Sequence, residues 1–114
     1  MPVFSKASYA LLGLALTGMA AAGAHALAAG PSPERRQELT HLVRQDCGSC
    51  HGMTLKGGLG KPLLPENLAG RDADVLAEII LDGIPGTPMP PWRGLLSEQD
   101  ALWIARRLKE GLDK

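Results

Sequence analysis

Residues 47–51 constrain the fold of this 114-residue chain more than any other feature, because they contain its only two cysteines. Two residues separate Cys47 from Cys50 and a histidine follows at once, so the segment reads C-x-x-C-H. This is the attachment sequence of c-type haem. At the end of a helix, three-residue spacing brings both thiols to one side, where each can form a thioether with a haem vinyl group. We therefore predict one covalent haem c, with His51 as the proximal ligand of its iron.

Three other uses of the two cysteines are open from the sequence. A thioredoxin-like C-x-x-C needs a βαβ context, and the chain has no strand pattern. Structural zinc takes four protein ligands, whereas His41 is the only other histidine after residue 28. A simple disulfide is permitted in an oxidising compartment, but it would leave the adjacent histidine and the long loops without a role. Haem attachment is the favoured hypothesis.

The first 28 residues have the form of an export signal. Lys6 is the only charged residue among the first 33, and an Ala/Leu/Gly run follows it. Two A-x-A patterns end at Ala26 and Ala28. We predict a cleavable secretory signal peptide over residues 1–28 and a periplasmic domain over residues 29–114, without stable membrane insertion. The alternative is a retained anchor, for which the run is short and diluted by glycine.

The composition of residues 29–114 predicts a domain with too little core material of its own. Only 32 of these 86 residues are apolar, and Trp92 and Trp103 are their only aromatics. A domain of this size and composition needs a metal or cofactor as a staple. Basic and acidic residues balance at 12 each in the whole chain, which argues against a nucleic-acid-binding protein.

Capping signals and apolar spacing predict three helices. The first begins at Pro33, with Ser32 as its cap, and reaches about Asp46 or slightly beyond. The second begins near Asp72 and ends at Gly83, and its buried face is expected to contain Val75, Leu76, Ile79 and Ile80. The third begins with a capping box over residues 97–100 and ends at Gly111.

Glycine and proline dominate the two connecting segments, residues 52–70 and 84–94. Loops of this length are uncommon in a compact domain unless they wrap around something. The predicted fold class is therefore all-α, with three main helices and two long loops that wrap around one covalently attached haem.

The second axial ligand of the iron is predicted to be Met89. A methionine thioether is the usual partner of histidine in cytochromes c. Met1 and Met19 lie in the predicted signal peptide, and Met53 is only two residues from His51. Prolines at 88, 90 and 91 stiffen the chain around Met89. Its sulfur can therefore be held in place without an entropic cost of ordering the segment at each redox step. The alternative is a gap-filling core methionine.

Two segments together resemble a known family. Residues 46–60, DCGSCHGMTLKGGLG, and residues 86–92, GTPMPPW, are similar to class I monohaem cytochromes c. More narrowly, they resemble the small NirC-type cytochromes that are encoded beside haem-d1 nitrite reductase in denitrifying bacteria. The resemblance covers residues 46–109, and the attachment motif is its most specific part.

The resemblance implies a small cytochrome c fold and further roles for individual residues. The first and last helices should cross, and a backbone carbonyl near residues 60–63 should accept a hydrogen bond from the second nitrogen of His51. Lys61 stands where a proline often follows the glycine, so Pro62 becomes the expected acceptor. Trp92 should reach a haem propionate with its indole N–H or shield the haem. Haem-packing roles, or ordinary core roles, are expected for Leu68, Ile79 and Ile80.

With both axial positions filled by the protein, the expected function is one-electron transfer and not enzymatic catalysis. The resemblance implies electron donation to nitrite reductase or a redox step in the maturation of d1 haem, and the sequence leaves both open. We expect a monomer with transient redox partners. Two alternatives are a haem-based sensor, in which Met89 dissociates to admit a small ligand, and a non-catalytic haem subunit of a larger complex.

Overall fold

The computed structural model describes residues 30–114, and the predicted signal peptide lies outside the described residues. Within this range every regular element of secondary structure is a helix, which confirms the predicted all-α class. The five α-helices are α1 (Pro33–Leu42), α2 (Gly48–His51), α3 (Pro65–Leu68), α4 (Ala73–Asp82) and α5 (Glu98–Glu110). The short helix α3 interrupts a segment that the sequence analysis assigned to loop. None of the described helices is long and apolar enough to cross a bilayer.

The first helix continues through the haem-attachment motif. Ser32 caps α1 as predicted, since its side-chain oxygen accepts a hydrogen bond from the Arg35 backbone N–H at 3.2 Å. A π-helical turn, Val43–Cys47, then joins α1 to α2, and the Gly48 N–H bonds to the Val43 carbonyl five residues back. The helical backbone therefore runs unbroken to residue 51. Such π-turns inside helices are frequent at functional sites.

The core lies where α5 packs against α4, α1 and α3. Its buried apolar side chains come from every one of these helices and from two loops: Leu39, Val43, Leu55, Leu68, Leu76, Ala77, Leu81, Leu96, Ala101, Ile104, Ala105 and Leu108. The register of α4 turns Leu76, Ala77 and Leu81 inward. The prediction that Val75 is buried is therefore wrong, because its side chain lies on the outer face and is 50% exposed.

The ends of α5 follow the predicted pattern. The capping box is present: Ser97 Oγ accepts from the Asp100 N–H at 3.1 Å, and Asp100 Oδ2 accepts from the Ser97 N–H at 3.2 Å. Gly111 ends the helix with φ 104°, a conformation that favours glycine. Near that end, the Lys109 ammonium donates to the carbonyls of Arg71 and Leu68, which ties α5 to the chain that follows α3.

An ion pair joins the first turns of α1 and α5. Arg35 lies among charged residues of α1, and its guanidinium reaches the buried Asp100 carboxylate at 2.9 Å. Burial alone would raise the pKa of Asp100, but hydrogen bonds from Arg35 and from the Ser97 backbone outweigh it and lower that pKa. The same guanidinium also forms an ion pair with the exposed Glu38 carboxylate, at 2.8 Å.

Loss of the Asp100 charge should destabilise the folded protein. Because its folded-state pKa is lowered, Asp100 contributes stability above its unfolded pKa of about 3.9, and this contribution is lost as pH falls further. We expect Asp100→Asn to lower the free energy of unfolding of the holoprotein by about 1–3 kcal/mol at pH 7. The substitution should also weaken the pH dependence of the free energy of unfolding below about pH 4. Unfolding by guanidinium chloride, measured at pH 3 to 7, reports both effects.

The matched control for this prediction is Glu38→Gln, which removes the exposed carboxylate on the same arginine. Exposed ion pairs contribute about 0–1 kcal/mol, so this variant should stay close to wild type at every pH. Equal losses of unfolding free energy in the two variants would contradict the role of the buried pair. The same holds if Asp100→Asn leaves the pH dependence of stability in acid unchanged.

Candidate haem-binding site

The two cysteines lie one helical turn apart, and both are free, half-buried thiols. Cys47 ends the π-helical turn and Cys50 lies in α2. Burial, together with the neighbouring Asp46 carboxylate, raises the pKa of the Cys47 thiol to about 11. Cys47 is therefore a neutral thiol at physiological pH. No disulfide joins Cys47 and Cys50 in the part of the chain that the structure describes.

The His51 ring is held by a short hydrogen bond to the following loop. Its Nδ1 lies 2.6 Å from the Lys61 carbonyl oxygen. Since a carbonyl can only accept, Nδ1 carries the proton in this bond and Nε2 is left as the lone-pair nitrogen. This arrangement fixes the tautomer and orientation of the ring, as the outer hydrogen bonds of metal-ligating histidines do.

The expectation that Pro62 supplies this carbonyl is wrong by one residue. The loop turns back early, because the Gly60 N–H donates to the Cys50 carbonyl at 2.7 Å and the Gly58 N–H donates to the Gly60 carbonyl at 3.0 Å. These bonds place the next carbonyl, that of Lys61, beside the ring. Any residue at position 61 supplies a backbone carbonyl, so having lysine there instead of proline does not remove the acceptor.

Close packing of this loop depends on glycine at two positions. A Cβ atom on Gly60 would lie 2.6 Å from both Nδ1 and Cε1 of His51. A Cβ atom on Gly52 would lie 2.5 Å from the Gly57 carbonyl oxygen, and Gly52 also has a φ of 91°. The glycines therefore let the loop lie directly against the histidine. The sequence predicts a glycine-rich wrapping loop here, but no local pattern marks Gly60 or the Lys61 carbonyl as a contact of the histidine.

Leu55 anchors the same loop in the core. It is the one non-glycine residue between 30 and 114 with positive φ, at 60°, in a region that side chains other than glycine seldom adopt. Its side chain is only 7% exposed, and its carbonyl accepts from the Leu63 N–H at 2.9 Å. Burial and this hydrogen bond hold the strained backbone in place, which is a common finding next to functional sites.

Met89 lies on the loop that follows α4 and is held close to the end of that helix. Its carbonyl accepts from the Ile84 N–H at 3.2 Å, and its own N–H donates to Thr87 Oγ1 at 3.3 Å. Gly83 makes the turn with φ 67°, and a Cβ atom there would lie 2.6 Å from the Met89 carbonyl oxygen. Met89 is half-buried on this pinned segment, and its ligation of iron stays a prediction.

Trp92 and Leu68 border the core in different ways. Trp92 is half-buried, and its backbone N–H donates to the Leu81 carbonyl at 2.9 Å, which folds the loop back onto α4. Leu68, at the end of α3, is 7% exposed and belongs to the core. Ile79 and Ile80 are half-buried on α4. Contacts of these side chains with haem stay predictions, as does a propionate bond from the Trp92 indole.

The residues present fit a covalently attached haem. Two thiols one turn apart, and a histidine whose Nε2 is left as the lone-pair nitrogen, are what c-type attachment and proximal ligation require. Zinc fits less well: in residues 30–114, no three or more His, Cys, Asp or Glu side chains come together as a metal site. When bound, the haem iron supplies a reversible one-electron couple.

Comparisons with known proteins agree with this assignment. The family model described as cytochrome c oxidase, cbb3-type, subunit III, matches residues 34–106. Cytochrome c55X of Paracoccus denitrificans is 56% identical over 99 residues, which are 87% of this chain and 90% of that protein. A solved structure of the c-type cytochrome NirC is 54% identical with a TM-score of 0.70, and the match covers 71% of this chain and 95% of that one.

A weaker similarity is to part of a larger protein. Dihydro-heme d1 dehydrogenase of Pseudomonas aeruginosa is 42% identical over 60 residues, which are 53% of this chain but only 12% of that protein. The similarity is thus to one segment of the dehydrogenase.

Proposed function

Since the chain belongs to the NirC-type monohaem cytochromes c and carries covalent haem c, we propose that it is a periplasmic one-electron carrier with His51 and Met89 as axial ligands, serving haem-d1 nitrite reduction. The hydrogen bond between His51 Nδ1 and the Lys61 carbonyl, at 2.6 Å, is the observation that carries the proposal. It commits the histidine to one orientation and leaves Nε2 for the iron.

Each residue of the site has a task in this function. Cys47 and Cys50 tether the cofactor, and His51 binds its iron from the side that the Lys61 carbonyl fixes. Met89 would supply the second protein ligand of the iron, which would then have no position open to substrate. The segment between Gly83 and Trp92 is pinned to α4 by backbone hydrogen bonds. The ligand geometry should therefore change little between the two redox states.

The proposed location is supported by the Ala/Leu/Gly run after Lys6 and by the A-x-A patterns that end at Ala26 and Ala28. Attachment of both cysteines protects them from oxidation in a compartment where disulfides form. We propose that residues 1–28 are removed after Ala26 or Ala28 and that residues 29–114 act as a monomer in the periplasm. N-terminal sequencing of the mature protein identifies the cleavage site.

Two positions in the d1-haem pathway are compatible with this chemistry. In the first, the reduced protein passes its electron to haem-d1 nitrite reductase. In the second, it takes electrons during d1-haem maturation. Similarity to a segment of dihydro-heme d1 dehydrogenase supports the second position, because a dehydrogenase must transfer the electrons that it removes to an acceptor.

Anaerobic stopped-flow mixing tests the function and separates the two positions. If the chain donates to nitrite reductase, the reduced holoprotein should be oxidised by that enzyme with a second-order rate constant of about 10⁵–10⁷ M⁻¹s⁻¹. If it serves maturation, the oxidised holoprotein should be reduced by dihydro-heme d1 dehydrogenase supplied with its substrate. Mixing with nitrite or CO alone is the control. Rapid reaction with either small molecule would contradict the carrier and favour the sensor.

A further inference from the structure

A surface loop beside the haem-binding residues combines exposed apolar and basic side chains. The loop patch consists of Met53, Lys56, Leu59 and Lys61. Leu59 is 77% exposed and Met53 is 61% exposed, and both lysines are exposed. Large apolar side chains grouped with solvated charges mark interaction sites more often than ordinary surface.

Backbone hydrogen bonds place the loop patch directly on the haem-binding segment. The Gly57 N–H donates to the His51 carbonyl at 2.8 Å, and the Gly60 N–H donates to the Cys50 carbonyl at 2.7 Å. The side chains of Lys56, Leu59 and Lys61 thus project from a loop that is bonded to the residues holding the cofactor. A protein seated on this loop would be close to the cofactor, as electron transfer requires.

The loop patch also lies in a stretch of the chain without acidic residues. No acidic residue occurs between Asp46 and Glu66. Within residues 30–114, no carboxylate lies within 4.0 Å of the ammonium groups of Lys56 and Lys61, whereas several arginines are paired in this way. The loop patch is therefore locally positive on a chain that is neutral as a whole.

Acidic side chains gather elsewhere, on α4 and at the start of α5. Asp74, Glu78 and Glu98 line a groove between these two helices. Arg93 pairs with Asp82 and approaches Glu78 and Glu98, which neutralises part of this acidic face. A partner with an acidic surface would therefore be attracted to the loop patch and repelled by the α4 side.

We propose that the loop patch is the docking surface for a redox protein that presents acidic side chains around an apolar centre. This inference rests on the proposed electron-carrier function and names the chemistry of its partner. Leu59 and Met53 would fill the apolar centre, and the two lysines would steer the encounter. In the docked pair one electron passes from the reduced to the oxidised protein, and no bond is made or broken. Such redox contacts are small and weak.

Reduction by a plant-type ferredoxin, a strongly acidic low-potential one-electron donor, tests the docking surface. Reduced ferredoxin is mixed with the oxidised holoprotein at ionic strengths from about 0.02 to 0.3 M, a range over which screening becomes strong. The wild-type rate constant should fall about tenfold across this range. Lys56→Glu should lower it about fivefold at low salt and little at high salt, whereas Leu59→Ser should lower it about threefold at all salts.

The matched control is Arg106→Glu, which makes the same change of charge at an exposed position on α5 and should stay within about twofold of wild type. Equal effects of Lys56→Glu and Arg106→Glu, or a wild-type rate that does not fall with salt, would overturn the docking proposal. Each variant is first cycled with dithionite and ferricyanide. If the wild type fails this one-electron cycle, the electron-carrier function itself fails. If it cycles normally and the rates do not discriminate, only the docking surface fails.

Discussion

Replacing Cys47 and Cys50 together with alanine should abolish covalent haem attachment completely. Each thioether consumes one thiol, and the chain has no other cysteine to replace them. Single replacements should retain one thioether. The loss should extend to folding, because a domain of this size with so few apolar residues depends on its cofactor as a staple. Mass spectrometry of the denatured protein and acid–acetone extraction measure the attachment directly.

Ser49→Ala is the control for the cysteine variants. Ser49 lies between the cysteines, and its hydroxyl donates to the Asp46 carbonyl at 2.7 Å and lies 4.0 Å from Cys50 Sγ; its removal leaves both thiols in place. This variant should keep its full complement of attached haem. Haem that resists extraction from the double alanine variant would show that attachment does not use Cys47 and Cys50.

Met89→Ala should convert a closed iron site into an open one. Without the thioether, the axial position opposite His51 becomes available, and the reduced variant should bind CO rapidly where the wild type does not. The reduction potential should fall by about 100 mV or more, since methionine ligation raises it and axial ligands tune potentials over about 0.8 V. Flash photolysis of the CO complex and equilibrium redox titration measure the two effects.

Met53→Ala is the matched control for Met89→Ala. Met53 is two residues from His51 and is 61% exposed, so its removal changes the methionine count without touching the proposed ligand. CO binding and potential should stay near wild type. If Met53→Ala opens the iron site and Met89→Ala does not, the ligand assignment is wrong.

The sequence predicts the helices well where their signals are local. Ser32 with Pro33, and Ser97 with Asp100, mark helix starts by bonding to backbone within three residues, and Gly83 marks a helix end. The attachment motif is local too, so the site of Cys47, Cys50 and His51 could be predicted from spacing alone.

Features that depend on partners far along the chain could not be predicted. The Arg35–Asp100 pair joins residues 65 positions apart, and nothing near Arg35 in the sequence distinguishes it from its solvated neighbours. The burial pattern of α4 depends on where α5 lies, which is why Val75 was assigned to the wrong face. The π-turn before α2 has no side-chain signature.

The acceptor for His51 shows a different limit. A backbone carbonyl has no residue identity, so only the path of the loop decides that Lys61 and not Pro62 supplies it. That path depends on Gly60, whose missing side chain allows the loop to lie against the histidine ring. The sequence shows that glycine is present but not what it lies against.

We propose that His51 and Met89 close both axial positions of the iron, which makes the protein an electron carrier. The near-infrared absorption spectrum of the oxidised wild-type holoprotein tests it most directly, because a weak charge-transfer band there reports a methionine sulfur on ferric haem. We expect this band in the wild type and in Met53→Ala, and we expect it to be lost in Met89→Ala. A wild-type spectrum that lacks the band, and that Met89→Ala leaves unchanged, would contradict it.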